Sequence, residues 1–211
     1  MDVITGIRKE RGRFRVTVNE AEDVLVPFTL FRERPLQEGQ PLDLEEYDNW
    51  LMVRQYRAAL DRAVGYLAAR ARSRREIEQK LLQVGYRPCT VEMVLYKLER
   101  ERLLDDADFA RQWVESRVHH NLGRSRIAQE LRRKGISADD AEEALSSIGA
   151  EDQLAGAVAL AEKAAARIKP GEDVRKAQNR IAAMLARRGY GWDIAKEALE
   201  QVMAGNSGDE D

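Results

Sequence analysis

Apolar positions in this chain follow two periods. In the first thirty residues the period is two: Phe14, Val16 and Val18 alternate with Arg13, Arg15 and Thr17, the pattern of a strand with one buried face. Val3 to Arg8 and Val24 to Val26 are the expected partner strands. Gly12 and the stretch Asn19 to Glu22 supply the turns, and Pro27 ends the third run. A sheet of two or three strands is marginal alone, so its apolar face is expected to pack on a helix just downstream. Pro35 and Pro41 bracket a loop. Asp43 and Glu46 then form a D-x-x-E start close to a capping box. The predicted helix runs over about 43–70, with a possible break. It directs Leu51, Val53, Leu60, Val64 and Leu67 to the core.

Beyond residue 70 the period becomes helical and the pattern repeats. Ile77, Leu81, Gly85, Tyr86, Val91 and Leu95 are matched by Ile127, Leu131, Gly135, Ile136, Ala141 and Leu145 at an offset of 50. Ile181, Leu185, Gly189, Tyr190, Ala195 and Leu199 follow at a further offset of 54. Such self-similarity marks a stacked repeat protein, whose usual work is binding over a long surface.

Each unit reads as three helices. Ser73-Arg74-Arg75-Glu76 is a capping box and Gly85 the helix stop. Pro88 opens a helix that buries Val91, Val94, Leu95 and Leu98. Asp105 or Asp106 caps a helix through Phe109, Trp113, Val114 and Val118, which Gly123 breaks. Arg124 to Lys134 is helix, Gly135 stops it and Ser137 starts the next. The third unit runs from Glu151 to Ile168, breaks at Pro170-Gly171, resumes to Arg188 and ends near Met203.

The predicted fold is therefore mainly α. Three tandem three-helix repeats form an elongated curved array, preceded by a small N-terminal antiparallel β-hairpin or sheet. The expected parts are a β-rich extension (1–42), a lead helix with the first repeat (43–104), the second repeat (105–150), the third (151–204) and a disordered acidic tail (205–211).

Charge changes this picture by locating a surface. Of the 211 residues, 34% are charged and the net charge is only −2. Residues 1–53 carry −4, residues 54–134 carry +8 and residues 135–211 carry −6. A basic middle between acidic ends points to an anionic partner, the alternative being ordinary solvated helix faces. Cys89 is the only cysteine, so no internal disulfide forms, which suits a reducing cytoplasm. There is no signal-peptide core and no run of about 18 apolar residues, so no membrane contact is expected.

Enzyme signals are poor. No G-x-x-x-x-G-K-[ST] loop is present. Gly189-Tyr190-Gly191 follows a helix and serves as its stop. His119 and His120 are adjacent, so they diverge on a helix and do not make a metal pair. Asp105, Asp106 and Asp108 suit a helix N-terminus, and Cys89 has no local base. No catalytic residue, metal or cofactor is expected.

The second repeat differs from the others at its surface. Five of residues 124–134 are basic and only Glu130 opposes them. Arg126, Gln129 and Arg133 form a stripe opposite Ile127, Ala128 and Leu131. Arg132 and Lys134 flank it, with Arg117, His119 and Arg124 just before. Such a stripe suits phosphates or an acidic protein face. The matching positions are Glu76, Gln79 and Gln83 in the first repeat, and Arg180, Ala183 and Arg187 in the third. The repeats share a core but not a surface. The candidate contacts are Arg117, Arg124, Arg126, Gln129, Arg132, Arg133 and Lys134, with Arg74, Arg75, Lys80, Arg180 and Arg187 as secondary candidates.

Two stretches carry a family resemblance. Leu103-Leu104-Asp105-Asp106-Ala107-Asp108-Phe109-Ala110, followed by Gly123-Arg124-Ser125-Arg126-Ile127 and Glu130-Leu131-Arg132-Arg133-Lys134-Gly135-Ile136, resembles the central motif of the RecX family. Ser73-Arg74-Arg75-Glu76-Ile77, Lys80-Leu81 and Gly85-Tyr86 resemble its first repeat. The resemblance covers about residues 58–200. Residues 1–50 resemble the β-rich extension of some members but carry no motif. It implies a monomeric, cytoplasmic bacterial regulator of the RecA recombinase, active in homologous recombination, DNA repair and the SOS response. Such a protein binds RecA–DNA filaments and inhibits or modulates their ATPase, strand exchange and growth. It also implies some affinity for single- or double-stranded DNA. Carried over residue by residue, Arg124, Arg126, Arg132, Arg133 and Lys134 become basic contacts. The rival reading is a general DNA-binding helical module.

Overall fold

A computed structural model describes residues 2–169 and 172–206. The chain divides after Asp105 into two compact units. In the first, β1 (Asp2–Glu10), β2 (Arg13–Val18) and β3 (Glu22–Pro27) form an antiparallel meander. Ile7 pairs with Val16, and Val16 with Val24. Gly12 takes φ +81° at the first turn, and Asn19 and Glu20 take φ 53° and 61° at the second, as tight hairpins require.

The sheet is larger than predicted. After Pro27 the chain enters a short helix, α1 (Phe28–Glu33), and returns as β4 (Pro41–Leu42) against the start of β1. The sheet is thus four-stranded, in the order β3-β2-β1-β4. A two-residue strand has too little pattern to read from sequence, and only β1's free edge defines it.

α2 (Leu44–Ala69) is one unbroken helix of 26 residues. Asp43 caps it, its side chain accepting from the Glu46 N–H at 2.9 Å. Glu46 itself pairs with Arg34. Two expectations fail on this helix: Val53 is 73% exposed and Val64 42%. The buried line is instead Tyr47, Leu51, Gln55, Ala59 and Ala63, at i, i+4 spacing. Tyr47 and Leu51 close the sheet's core with Ile4, Val16, Val18 and Val26. Ala59 and Ala63 join a second core with Ile77, Leu81, Leu95 and Leu98. Small side chains let the next helices approach closely, so packing here selects for size and not for hydrophobicity.

α3 (Arg74–Val84) begins at the predicted capping box, with both reciprocal bonds of Ser73 and Glu76 present. α4 (Pro88–Arg100) has Pro88 in its first turn. Between them Gly85 takes φ +102°. A Cβ there would also meet the Arg13 stem at 3.0 Å, so the helix stop doubles as the seat of the β1–β2 hairpin.

The second unit holds the second and third repeats: α5 (Asp106–His119), α6 (Arg124–Arg133), α7 (Ala138–Ser146), α8 (Ala150–Ala165), α9 (Val174–Arg188) and α10 (Trp192–Asn206). Phe109, Val114, Ile127, Leu131 and Leu145 centre one core. Ala157, Ala161, Ile181, Leu185 and Tyr190 centre the other. The predicted break at Pro170-Gly171 lies outside the described residues. α10 continues to Asn206, so only residues 207–211 of the predicted tail fall outside them.

Gly123 is more than a helix breaker. Its φ of −76° suits any residue, yet a Cβ would lie 2.2 Å from the Gly189 carbonyl carbon. The Gly123 N–H donates to the Arg188 carbonyl at 2.9 Å, and Ser125 donates its N–H and Oγ to the Gly189 carbonyl. The unpaired N–H groups at the start of α6 thereby satisfy the unpaired carbonyls at the end of α9.

Gly123→Ala is expected to destabilise by about 3 kcal/mol or more through backbone overlap, measured by urea unfolding. Gly39→Ala (φ +79°, open space around it) should cost only about 1 kcal/mol of conformational strain. Burial pushes the Tyr47 phenol up to about 12, against the opposing pull of Arg34, and Tyr190 likewise to about 12. The folded state holds these protons more tightly, so stability is full below pH 10 and falls as pH rises towards 12. The Tyr47 hydroxyl has no hydrogen-bond partner among the described residues. Tyr47→Phe should therefore change neutral-pH stability by no more than about 1 kcal/mol. It should also flatten part of the alkaline loss in the same assay.

Candidate functional site

The α6 surface is set by one inward line, which leaves the opposite face to solvent. Ile127 and Leu131 are fully buried, and their i, i+4 spacing fixes the helix's rotation. Gln129, Arg132 and Arg133 consequently face solvent, while Arg126 and Lys134 are half-buried.

The basic candidates then separate by what they touch. Arg124 is committed to structure. Its N–H donates to Gln153, and its guanidinium donates to Glu142 at 2.6 Å and to the Leu145 carbonyl at 3.2 Å. Arg117 is committed too: its Nε donates to Glu130 at 2.8 Å and its guanidinium lies 3.8 Å from the Trp113 ring centre. Trp113 Nε1 donates to the same carboxylate at 3.1 Å, and Arg126 approaches it at 3.7 Å. The Lys134 ammonium lies 4.0 Å from the Trp113 ring centre and 5.3 Å from that of Phe109, within range of cation–π attraction. Arg132 and Arg133 have no ion-pair partner among the described residues. Glu130, the single acid of the helix, is thus used up by Arg117, Trp113 and Arg126, and the outer face keeps its positive charge.

Sequence reading missed this anchor. Trp113 was legible as a core residue at i+4 from Phe109, but its service to two cations appears only once α5 and α6 meet. His119 and His120 each point Nδ1 at a carbonyl one turn back, of Glu115 at 2.8 Å and Ser116 at 2.6 Å. Among the described residues no group of three or more His, Cys, Asp and Glu gathers to hold a metal ion.

The secondary candidates also separate. Arg74 bridges α3 to α4 through Glu92 at 2.5 Å and Glu99 at 2.8 Å. It occupies the repeat position of Arg124, and Glu92 that of Glu142. The first two repeats thus share an arginine–glutamate clasp. In the third repeat those positions are Gln178 and Lys196. There the groove between α9 and α10 stays open, and Trp192 stands 72% exposed at its end. Arg180 pairs with Glu172 at 2.5 Å. Lys80 lies 5.0 Å over the Tyr66 ring. Arg75 and Arg187 are exposed.

Comparison with known proteins bears on all three repeats. Residues 59–98, 105–145 and 151–199 match the family models of the first, second and third three-helix domains of RecX. The chain is 40% identical over 144 residues to the Regulatory protein RecX of Mycobacterium sp. (strain JLS), covering 66% of this chain and 78% of that one. It is 28% identical over 209 residues to the Regulatory protein RecX of Bacillus subtilis (strain 168), covering 96% of this chain and 76% of the relative. Among solved structures, RecX from Lactobacillus salivarius aligns with a TM-score of 0.67 at 27% identity, over 72% of this chain and 99% of its own. A second, described as regulatory protein RecX, aligns at 0.65 and 25% identity over 95% and 100%.

Glu130→Ala is expected to destabilise by about 2 kcal/mol, because it leaves the half-buried Arg117 and Trp113 donors without their acceptor. Arg132→Ala with Arg133→Ala should stay within about 0.5 kcal/mol each. Urea unfolding with tryptophan fluorescence reads both.

Proposed function

Because this chain belongs to the RecX family, we propose that it is a non-enzymatic regulator that binds RecA nucleoprotein filaments. In doing so it modulates their ATPase, strand exchange and growth. The observation that carries this reading is the outer face of α6, where Gln129, Arg132 and Arg133 are exposed and the helix's one acid is already engaged. A nucleoprotein filament offers phosphates and carboxylates together, and both are complementary to such a face. Guanidinium groups suit this work because their fixed donor pairs match phosphate and carboxylate oxygens. Arg126 and Lys134 support the face from its edges. Arg124, Arg117 and Arg74 contribute by holding helices in place.

A second reading, a general DNA-binding module, draws on α9. That helix carries Arg175, Lys176, Arg180, Arg187 and Arg188 with no acid among residues 174–188. Such a module would bind DNA strongly by itself, with affinity falling about 0.9 log units per log unit of salt for each duplex phosphate neutralised.

No helix among the described residues is long and apolar enough to cross a membrane.

The deciding experiment is single-strand-dependent ATP hydrolysis by RecA at low molar ratios of this protein. Inhibition at a small fraction of the RecA concentration is expected. Arg132→Glu/Arg133→Glu should need about tenfold more protein, equivalent to roughly 1.4 kcal/mol. Equal potency of the two proteins would remove α6 from the mechanism. Inhibition only once the DNA is saturated would favour the general module.

A further inference from the structure

The N-terminal sheet and the first repeat enclose a cleft of about 960 Å³ within the first unit. Its walls are the β1–β2 hairpin tip (Glu10 to Arg13), the outer face of α3 (Gln79, Lys80, Gln83) and Tyr66 of α2. The hairpin is fixed there. Arg13 donates to the Leu82 carbonyl at 3.2 Å, and its stem lies where a Gly85 side chain would be.

The charges of this cleft do not cancel. Glu10 is its one acid, and it accepts from Arg15 and Arg13, both at 2.7 Å. Those hydrogen bonds, Arg15's the larger effect, hold its carboxyl below the usual carboxylate range. Arg11 is exposed at the hairpin tip with no ion-pair partner among the described residues. Lys80 lies 5.0 Å from the Tyr66 ring centre, and Arg72 lies 5.6 Å from the same ring. Arg72 donates to the Tyr66 carbonyl at 3.1 Å. Neither Arg72 nor Lys80 meets an acid among the described residues. Arg11 of the hairpin and Lys80 of α3 therefore line one concave surface, where low-dielectric walls strengthen their common field.

Two further features narrow the ligand. Tyr66 is the one aromatic residue lining the cleft, and Lys80 and Arg72 both lie within cation–π range of its ring, which makes it a poor platform for stacking a base. Gln79 and Gln83, one turn apart and both exposed, supply donors beside the ammonium of Lys80. Donors and cations of this kind match phosphate oxygens, which take the larger share of protein hydrogen bonds to a polynucleotide.

We propose that this cleft is a second anion site, which takes the phosphodiester backbone of a polynucleotide through Arg11, Lys80, Gln79 and Gln83. The site shares no residue with α6 and gives the N-terminal sheet a binding role that requires no recombinase. Position 80 also distinguishes the repeats: its counterparts are Glu130 and Met184, so this cation belongs to the first repeat alone.

The test is fluorescence anisotropy of a dye-labelled oligothymidylate with the full chain alone, across a salt series. Arg11→Ala/Lys80→Ala should weaken binding three- to tenfold. It should also lower the salt dependence by about 1.4 log units per log unit, for two single-strand phosphates released. Gln83→Glu, an exposed change on the same wall, should weaken binding in the same direction without relying on lost side chains. Unchanged affinity and slope in both variants would overturn the site. If the variants lose binding of inorganic tripolyphosphate but keep that of the oligonucleotide, the polynucleotide assignment is overturned in favour of free polyphosphate. Arg132→Glu/Arg133→Glu, run in parallel, separates the cleft from α6. Its effect on RecA hydrolysis can fail independently of this result.

Discussion

A helix that ends in a left-handed glycine presents carbonyls with no partner and backbone with no side chain over it, and this molecule joins its modules at such ends. At Gly85 the stem of Arg13 fills the space a Cβ would take, and the Arg13 guanidinium reaches the Leu82 carbonyl. At Gly189 the start of α6 fills it, with Gly123 and Ser125 donating to the Arg188 and Gly189 carbonyls. The second joint also sets the positive end of one helix dipole against the negative end of another. The Gly189 joint is stiff because it is made largely by backbone, which cannot relax by changing rotamer. The orientation of α6, and with it the face carrying Arg132 and Arg133, depends on that stiffness.

Electrostatics follows from the same packing. Acids are placed where they hold helices together, and each removes particular cations from the surface. Glu92 and Glu99 take Arg74, Glu142 takes Arg124, and Glu130 takes Arg117 and draws in Arg126. The cations left over remain on the outer face of α6 (Arg132, Arg133), around the cleft beside the N-terminal hairpin (Arg11, Lys80) and along α9 (Arg175, Lys176, Arg187, Arg188). A near-neutral net charge is thus compatible with strongly basic local surfaces, because neutralisation occurs at interhelical seams. The clasp shared by the first two repeats is replaced by Gln178 and Lys196 in the third, so one scaffold carries different surfaces over a common core.

Much of the fold was legible in the pattern of residues. The alternation at Phe14, Val16 and Val18 identified β2. The recurrence of Ile127, Leu131 and Ile136 at fixed distances from Ile77 and Ile181 identified the repeats. Ser73, Pro88, Ser137 and Gly85 marked helix ends. These features are local: a strand period, a capping hydroxyl or a left-handed glycine acts within a few residues and leaves its mark there. The inward line of α2 was not legible. Its later members, Gln55, Ala59 and Ala63, are defined by how closely other helices approach, and nothing in their own character marks them as core.

The candidate surface divides along the same line. That the second repeat is basic was written in Arg124 to Lys134, since composition needs no folding. Which of those cations are spent and which are available was decided only by tertiary structure. A charge is neutralised by whatever lies within a few ångströms, and the partners of Arg117, Arg124 and Arg74 are 13 to 25 residues away along the chain. The sequence by itself determined the helices, the repeats and where positive charge is abundant. The packing of helix on helix determined which of that charge faces a partner.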